Sequence, residues 1–313
     1  MRQAQIDRFG TADEFHITDA PIPQPGTGEV LVRVLAAGTN PVDYKMRDGS
    51  SGAVANLRPE DFPLVLGREA CGVVESLGEG VEGMGAGDMV FGAAPSGHPG
   101  RCYAEYVVLP ASCLARAPEG ADPVVLGGLA LAATTAWVAV HELARVQRGD
   151  KVLVHGGAGG VGQMMVQLSV AAGADVWATA STRNQDRLLE LGASPIDYST
   201  TDFREVAPKL DVVLDAVYFG TFEKSLDHLV EGGRIVVLPT LADLTPAQDR
   251  GIEAHIPRIH EVPRELELIA ARVVDQTMSL EVSHVLPLEE VAEAHRKLES
   301  GHGRGKIVLD LRR

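Results

Sequence analysis

Lys151-Val-Leu-Val-His-Gly-Gly-Ala-Gly-Gly-Val-Gly162 is the stretch whose reading decides the fold. Val152, Leu153 and Val154 form a short apolar run, the mark of a buried strand, and the run breaks directly into glycine. Gly157-x-Gly159-x-x-Gly162 comes next. Val161, Met164, Met165, Leu168 and Ala172 then recur at the spacing of an amphipathic helix, and a second strand is expected over 175–180. Glycine can take the turn at the strand end and lets the backbone approach a pyrophosphate closely, while the N–H groups opening the helix hold that anion. A glycine-rich turn alone is a weak signal. Strand, motif, helix and strand in order make it a dinucleotide site.

The end of the second strand bears on which dinucleotide. An acid placed there, roughly 20 residues past the glycines, would bind a ribose 2′-hydroxyl. This chain reads Ala180-Ser181-Thr182-Arg183, with Asp175 ahead of the strand and Asp186 in the following helix. A hydroxyl and a guanidinium suit a 2′-phosphate, which an acid would repel, so NADP(H) is the expectation. The competing reading has Ser181 and Arg183 capping the next helix and facing solvent.

At 313 residues the chain is long for one core, and two domains are expected. Its 45% hydrophobic and 23% charged content is that of a globular protein. Aromatics are 4%, leaving few rings to stack on bases, and a net charge of −15 opposes a nucleic-acid backbone or an anionic membrane. The first residues show no apolar signal core, and no run approaches the ~18 apolar residues of a membrane span. Cys71, Cys102 and Cys113 form no disulfide framework and fit a reducing cytoplasm.

Residues 1–118 differ in pattern from the rest of the chain. Val30-Leu-Val-Arg-Val-Leu35 alternates in strand fashion, and Gly78, Gly80, Gly83, Gly85, Gly87 and Gly92 crowd at turn spacing, which together suggest an all-β unit. From about residue 122 helix and strand alternate, with strands expected at 151–155, 175–179, 194–197, 211–215 and 234–238. That is a doubly wound parallel sheet, with ligands at the carboxyl ends of its strands. The tail reads as helices over 263–275 and 287–299 and strands over 280–286 and 306–311, returning to the first unit. The expected division is 1–121, 122–259 and a returning 260–313.

Further ordered segments carry a resemblance: Ala37-Gly-Thr-Asn-Pro-Val-Asp-Tyr44, Phe62-Pro-Leu-Val-Leu-Gly-Arg-Glu-Ala-Cys-Gly72, Gly87-Asp-Met-Val-Phe-Gly92, Tyr103-Ala-Glu-Tyr-Val107, Ala133-Thr-Thr-Ala-Trp137 and Gly301-His-Gly-Arg-Gly-Lys-Ile-Val-Leu309. Over nearly its whole length the chain resembles the zinc-independent, zeta-crystallin-like quinone oxidoreductases of the medium-chain dehydrogenase/reductase superfamily. The resemblance implies an α/β chain in which a GroES-like β-domain is interrupted by a Rossmann domain, with the active site in the cleft between them.

Zinc-dependent members of that superfamily read Cys-x-x-Asp early and Gly-His-Glu later. Here Asn40-Pro-Val-Asp43 and Gly67-Arg68-Glu69 stand in those stretches. Asparagine is a poor zinc ligand, and a permanently charged arginine cannot be one. The four cysteines of the structural zinc lobe are missing. His141-Glu142-x-x-Arg145 lacks the second histidine of a zinc-protease helix, and His284, His295 and His302 fit no ligand spacing and are expected at the surface. The expected site is metal-free. Without a Lewis acid, a conjugated acceptor remains reducible, because hydride spreads charge through the π-system to an oxygen that a few hydrogen-bond donors can hold. The resemblance implies that Asn40 lies beside nicotinamide and substrate, that Asp43 holds the loop, and that Tyr44 and Lys45 are candidate donors. The plainer reading of Asn40-Pro-Val-Asp43 is an Asx-type turn with φ fixed at Pro41, with solvent supplying the proton.

The resemblance also places Thr135 against the nicotinamide, Gly159, Gly160 and Val161 at the pyrophosphate, Ser181 and Tyr198 at the 2′-phosphate, and Leu238 near the carboxamide. Many relatives carry lysine four residues after the serine; here Gln185 stands there, and Arg183 could replace the charge. Thr135 could equally bond its own helix. The expected activity is NADPH-dependent reduction of a small quinone or enone. An enoyl-thioester reductase would need a basic rim that is not visible here, and an NADPH-binding sensor is the non-enzymatic reading. A homodimer is expected through the edge strand near 251–259, truncated by Pro257.

Overall fold

A computed structural model describes residues 1–239, 241–301 and 303–313. The chain divides into two compact units, Met1–Thr134 with His260–Arg313, and Thr135–Ile259. The first unit therefore reaches Thr134 rather than 121, because the short helix Pro123–Gly127 packs on the strands Glu29–Gly38 and Glu69–Leu77.

Glu29–Gly38 is the centre of the first unit. It pairs antiparallel with Glu69–Leu77, Tyr106–Pro110 and Lys306–Asp310. The alternation seen over residues 30–35 gives way to burial on both faces: Val30, Leu31, Val32 and Val34 are all buried, and only Arg33 turns out to solvent. Strand Lys306–Asp310 pairs parallel with Val282–Leu286, so the tail completes the first unit's seven-stranded sheet. This unit is not all-β. A helix, Pro41–Arg47, succeeds the central strand and carries Asp43, Tyr44 and Lys45. Its start is chemically ordinary: Pro41 holds the first helical position, where its missing N–H is no loss, and Asp43 accepts the N–H of Asn40 at 2.8 Å.

The second unit is a six-stranded sheet, parallel throughout. Its order is Ser194–Asp197, Asp175–Ala180, Lys151–His155, Leu210–Asp215, Leu229–Val237, Glu253–His255. Numbered within the unit, that order is 3-2-1-4-5-6, and the reversal falls between the first and fourth strands, where such sheets bind dinucleotides. Val152, Leu153 and Val154 are wholly buried, as a central parallel strand requires. Asp175 opens its strand rather than preceding it, which still leaves it at the amino end, away from the ligand side. The edge strand expected over 251–259 is shorter, Glu253–His255. No helix among the described residues is long and apolar enough to cross a membrane.

Candidate active site

In the second unit the strand Lys151–His155 enters the glycine turn. The positive φ that the turn requires, +73°, falls at Gly156, one residue before the three spaced glycines. Gly157 and Gly162 serve packing instead. A Cβ on Gly157 would lie 2.8 Å from Ala178 Cβ, and one on Gly162 would lie 2.1 Å from the Gly156 carbonyl oxygen. Gly159, with extended backbone, is the N-cap of the helix Gly160–Ala171, and a Cβ there would meet only the Gly156 oxygen, at 3.3 Å. The first helical bond runs from the Gln163 N–H to the Gly159 carbonyl. The N–H groups of Gly160, Val161 and Gly162 thus have no partner within the helix, and they sit at the positive end of a 12-residue helix. Two crowded glycines, an open one and three N–H groups at a helix end fit a pyrophosphate.

His155 closes the strand beneath this turn. Its ring nitrogens lie 3.1 Å from Thr179 Oγ1 and 3.0 Å from Ser225 Oγ, and burial holds its pKa below the usual histidine value. Asp215, at the end of the neighbouring strand, belongs to no motif in the sequence. Its carboxylate accepts the N–H groups of Val217 and Tyr218, both at 2.8 Å, and the Thr221 hydroxyl at 2.7 Å. It builds the loop after the fourth strand. The N–H of Leu238 bonds the Asp215 carbonyl at 2.9 Å, so Leu238 continues the fifth strand beside this loop. Thr135 is half-buried on the helix Ala130–Trp137.

Ser181 and Arg183 come after the second strand and Tyr198 after the third, at the carboxyl ends of adjacent strands whose last residues, Ala180 and Asp197, pair in register. Ser181 is half-buried and accepts from Asn184 Nδ2 at 3.2 Å, while Arg183 and Tyr198 are exposed. Gln185 explains the missing lysine: its amide donates to the carbonyls of Ala180 and Ser181 at 3.0 and 3.2 Å, closing the strand end without charge. Register brings one acid into the neighbourhood that the linear reading overlooked. Asp197 lies beside Ala180, but its carboxylate accepts from the Ser199 N–H at 2.9 Å and Ser199 hydroxyl at 2.5 Å, which hold its pKa below the usual aspartate value.

In the first unit, Asn40 and Asp43 are buried at the start of the helix Pro41–Arg47, and Tyr44 and Lys45 are half-buried one step round it. The Asn40 side chain also reaches two charged groups. Its Nδ2 donates to Glu69 Oε1 at 2.9 Å, and its Oδ1 accepts from Lys306 Nζ at 2.5 Å. Glu69 is wholly buried, and its Oε2 takes the N–H of Leu131 at 2.7 Å. Lys306 also donates to Glu69 Oε1 at 2.7 Å and to the Thr39 carbonyl at 3.0 Å. Sequence reasoning missed both partners. In the sequence Glu69 stands out only as the neighbour of Arg68 and Lys306 only as part of a strand, and no spacing rule joins positions 40, 69 and 306.

Asp43 is fully buried. Beyond the Asn40 N–H it accepts the Tyr103 hydroxyl at 3.0 Å, and its Oδ1 has no partner. Burial pushes its pKa up to about 6, against the pull of Arg68, Tyr103, the Asn40 N–H and Lys306. Burial likewise raises the Tyr44 hydroxyl, helped by Asp48 and Glu299. The expectation that His295 lies at the surface is wrong. It is fully buried, with Nε2 3.3 Å from Tyr103 Oη and Nδ1 3.3 Å from Arg47 Nη1. Burial and the Arg47 charge hold it down to about 3. Arginine only donates, so Nδ1 accepts, Nε2–H donates to Tyr103, and Tyr103 donates to Asp43. The sequence held the signal: Val291, Ala294, His295 and Leu298 share one helix face. His284 is exposed, and His302 lies outside the described residues.

Arg68, at the position of the zinc-ligand histidine in the metal-dependent pattern, is buried and donates from Nη2 to the carbonyls of Ala94 and Pro95 at 2.8 and 2.9 Å. The three cysteines are free and buried. Burial pushes the Cys71 thiol up to about 12 and the Cys113 thiol up to about 11. No cluster of three His, Cys, Asp or Glu side chains suited to a metal occurs among the described residues.

Comparison with known proteins agrees with this arrangement. Residues 26–119 match the family described as alcohol dehydrogenase GroES-like domain, and residues 191–309 match that described as zinc-binding dehydrogenase. The chain is 35% identical to a solved quinone oxidoreductase from Coxiella burnetii, covering 99% of each chain with a TM-score of 0.94. It is 31% identical over 331 residues to a 2-haloacrylate reductase from Burkholderia sp, covering 98% of both. It is also 29% identical over 309 residues to a mycocerosic acid synthase-like polyketide synthase of Mycobacterium tuberculosis, where the match spans 92% of this chain but 14% of the synthase.

Proposed function

The chain belongs to the quinone oxidoreductase family of the medium-chain dehydrogenase/reductase superfamily, and from that premise we propose that it is an NADPH-dependent reductase of quinones or α,β-unsaturated carbonyls that works without a metal. Arg68 carries the reading. A buried, permanently charged guanidinium replaces a metal ligand, next in sequence to Glu69, whose carboxylate is taken up by Asn40, Lys306 and the Leu131 N–H. Without a Lewis acid, the acceptor must delocalise the charge that hydride brings.

NADPH, when bound, supplies the hydride. The N–H groups of Gly160, Val161 and Gly162 hold its pyrophosphate, and Ser181, Arg183 and Tyr198 meet its 2′-phosphate. Asn40 keeps a second amide N–H beyond the one on Glu69, and that N–H meets the oxygen on which charge develops. Asp43, fixed by Tyr103 and the Asn40 N–H, keeps the helix start in place. The test is turnover of a small quinone, an enone and an enoyl-CoA with deuterated NADPH. Label at the enone β-carbon and inert simple alcohols are the expected result. Reduction of the enoyl-CoA alone would favour a thioester substrate, the reading suggested by the match to a synthase segment. Tight NADPH binding with no acceptor consumed would leave a sensor.

We also propose a cytoplasmic homodimer. Glu253–His255 ends the six-stranded sheet, and pairing with a second copy would cover its open N–H and C=O groups. A monomer by light scattering at micromolar concentration overturns that.

A further inference from the structure

A buried ammonium is rare because desolvation disfavours it unless all three protons find acceptors. Lys306 opens the last strand of the first unit with its side chain 5% exposed, and it finds three: the Thr39 carbonyl, Asn40 Oδ1 and Glu69 Oε1. Room is made for the carboxylate by Gly38, where a Cβ would stand 2.4 Å from Glu69 Oε1. The Asn40 amide therefore lies between a cation on its oxygen and an anion on its nitrogen. An asparagine amide has two orientations of nearly equal shape. Reversing this one would turn N–H groups to an ammonium and a carbonyl to a carboxylate, two repulsive contacts inside the fold.

We propose that Lys306, seated on Glu69, is a positioning residue that fixes the sense of the Asn40 amide and so aims its remaining N–H at the substrate oxygen. This rests on the reductase reading above. Glu69 is itself held through Oε2 by the N–H of Leu131. Lys306 acts through Asn40 and touches no reacting atom. A purely structural ion pair has a different signature: its loss would lower stability and every activity together, independently of Asn40.

The test pairs Lys306→Met with Glu69→Gln, so that no buried charge is left alone. Two readouts are taken. In the first, the side-chain amide of Asn40 is assigned in a 1H–15N spectrum by its loss in Asn40→Ala. It should be one protected pair in the parent and fast-exchanging or doubled in the double variant, with the NADPH dissociation constant within twofold. An unchanged Asn40 signal overturns the proposal. In the second, kcat for a small quinone should fall at least tenfold in the parent background and less than twofold when Asn40 is already alanine. Equal losses in both backgrounds make the pair structural and overturn the proposal as well. If the double variant does not fold, Glu69→Gln alone leaves Lys306 without the anion that seats it and should shift the Asn40 signal in the same direction. A parent with no turnover refutes the reductase reading by itself, and the spectrum then decides the amide's orientation.

Discussion

The glycine turn after Lys151–His155 and the ionic cluster around Asn40 are both closely fitted, and they are assembled by opposite means. The turn is made from consecutive residues: a positive φ at Gly156, crowding at Gly157 and Gly162, and a helix start at Gly160. The cluster draws one residue each from positions 40, 69, 131 and 306. What excludes a side chain from the turn is the Gly156 backbone at Gly162 and the packed side chains of Ala178 and Leu188 at Gly157. What holds the cluster is opposite charge removed from water, where removal of one member strands the others. The turn should therefore fail by sterics, and the cluster by electrostatics.

The largest expected effect breaks the turn. Gly162→Ala puts a Cβ 2.1 Å from the Gly156 oxygen, and no rotamer relieves it. A loss on the order of 4 kcal/mol, the upper end for overpacking, should appear in thermal melts together with lost NADPH binding. Gly159→Ala should leave the melt within about 1 kcal/mol while still weakening NADPH, because its Cβ meets only the Gly156 oxygen, at 3.3 Å. Equal melting losses in the two variants would show that the glycines are not divided between packing and binding.

Next in size is a pH effect in the first unit. Burial raises Asp43 from 3.8 to about 6, so the folded protein binds this proton more tightly than the unfolded chain. Stability from this group is fullest near pH 4 and is lost as pH rises to about 6, roughly 3 kcal/mol at ~1.4 kcal/mol per pKa unit. Asp43→Asn should thus gain several degrees of Tm relative to the parent between pH 4 and pH 7. A constant difference would show that the Tyr103 and Asn40 bonds cancel desolvation, and a difference that shrinks would show that they outweigh it.

The smallest effect lies on exposed atoms. NADPH should bind at least tenfold more tightly than NADH, ~1.4 kcal/mol, and Arg183→Glu should narrow or reverse that preference. Equal affinities in the parent would mean that Ser181 and Arg183 do not read the phosphate. Such a result would sharpen attention on Asp197, which register brings beside Ala180.

By itself the sequence determined the second unit nearly strand for strand. Lys151–His155 and Ser194–Asp197 stand where the reading put them, Leu210–Asp215 begins one residue early, and the fifth strand, expected over 234–238, runs Leu229–Val237. Parallel strands, buried on both faces, write themselves as unbroken apolar runs, and the glycine turn is a matter of neighbours along the chain. The helix Pro41–Arg47 was legible too, in Pro41 at its first position and Asp43 at its third, though its setting among glycines and strands read as a turn. Only the tertiary structure decided the rest. His295 was buried by a helix face closing on Tyr103, Asp197 was carried beside Ala180 by strand register, and Glu69 and Lys306 met at Asn40 through antiparallel pairing of strands more than 200 residues apart. A hydrogen bond across a sheet depends on which strands become neighbours, and no periodicity along one segment encodes its partner.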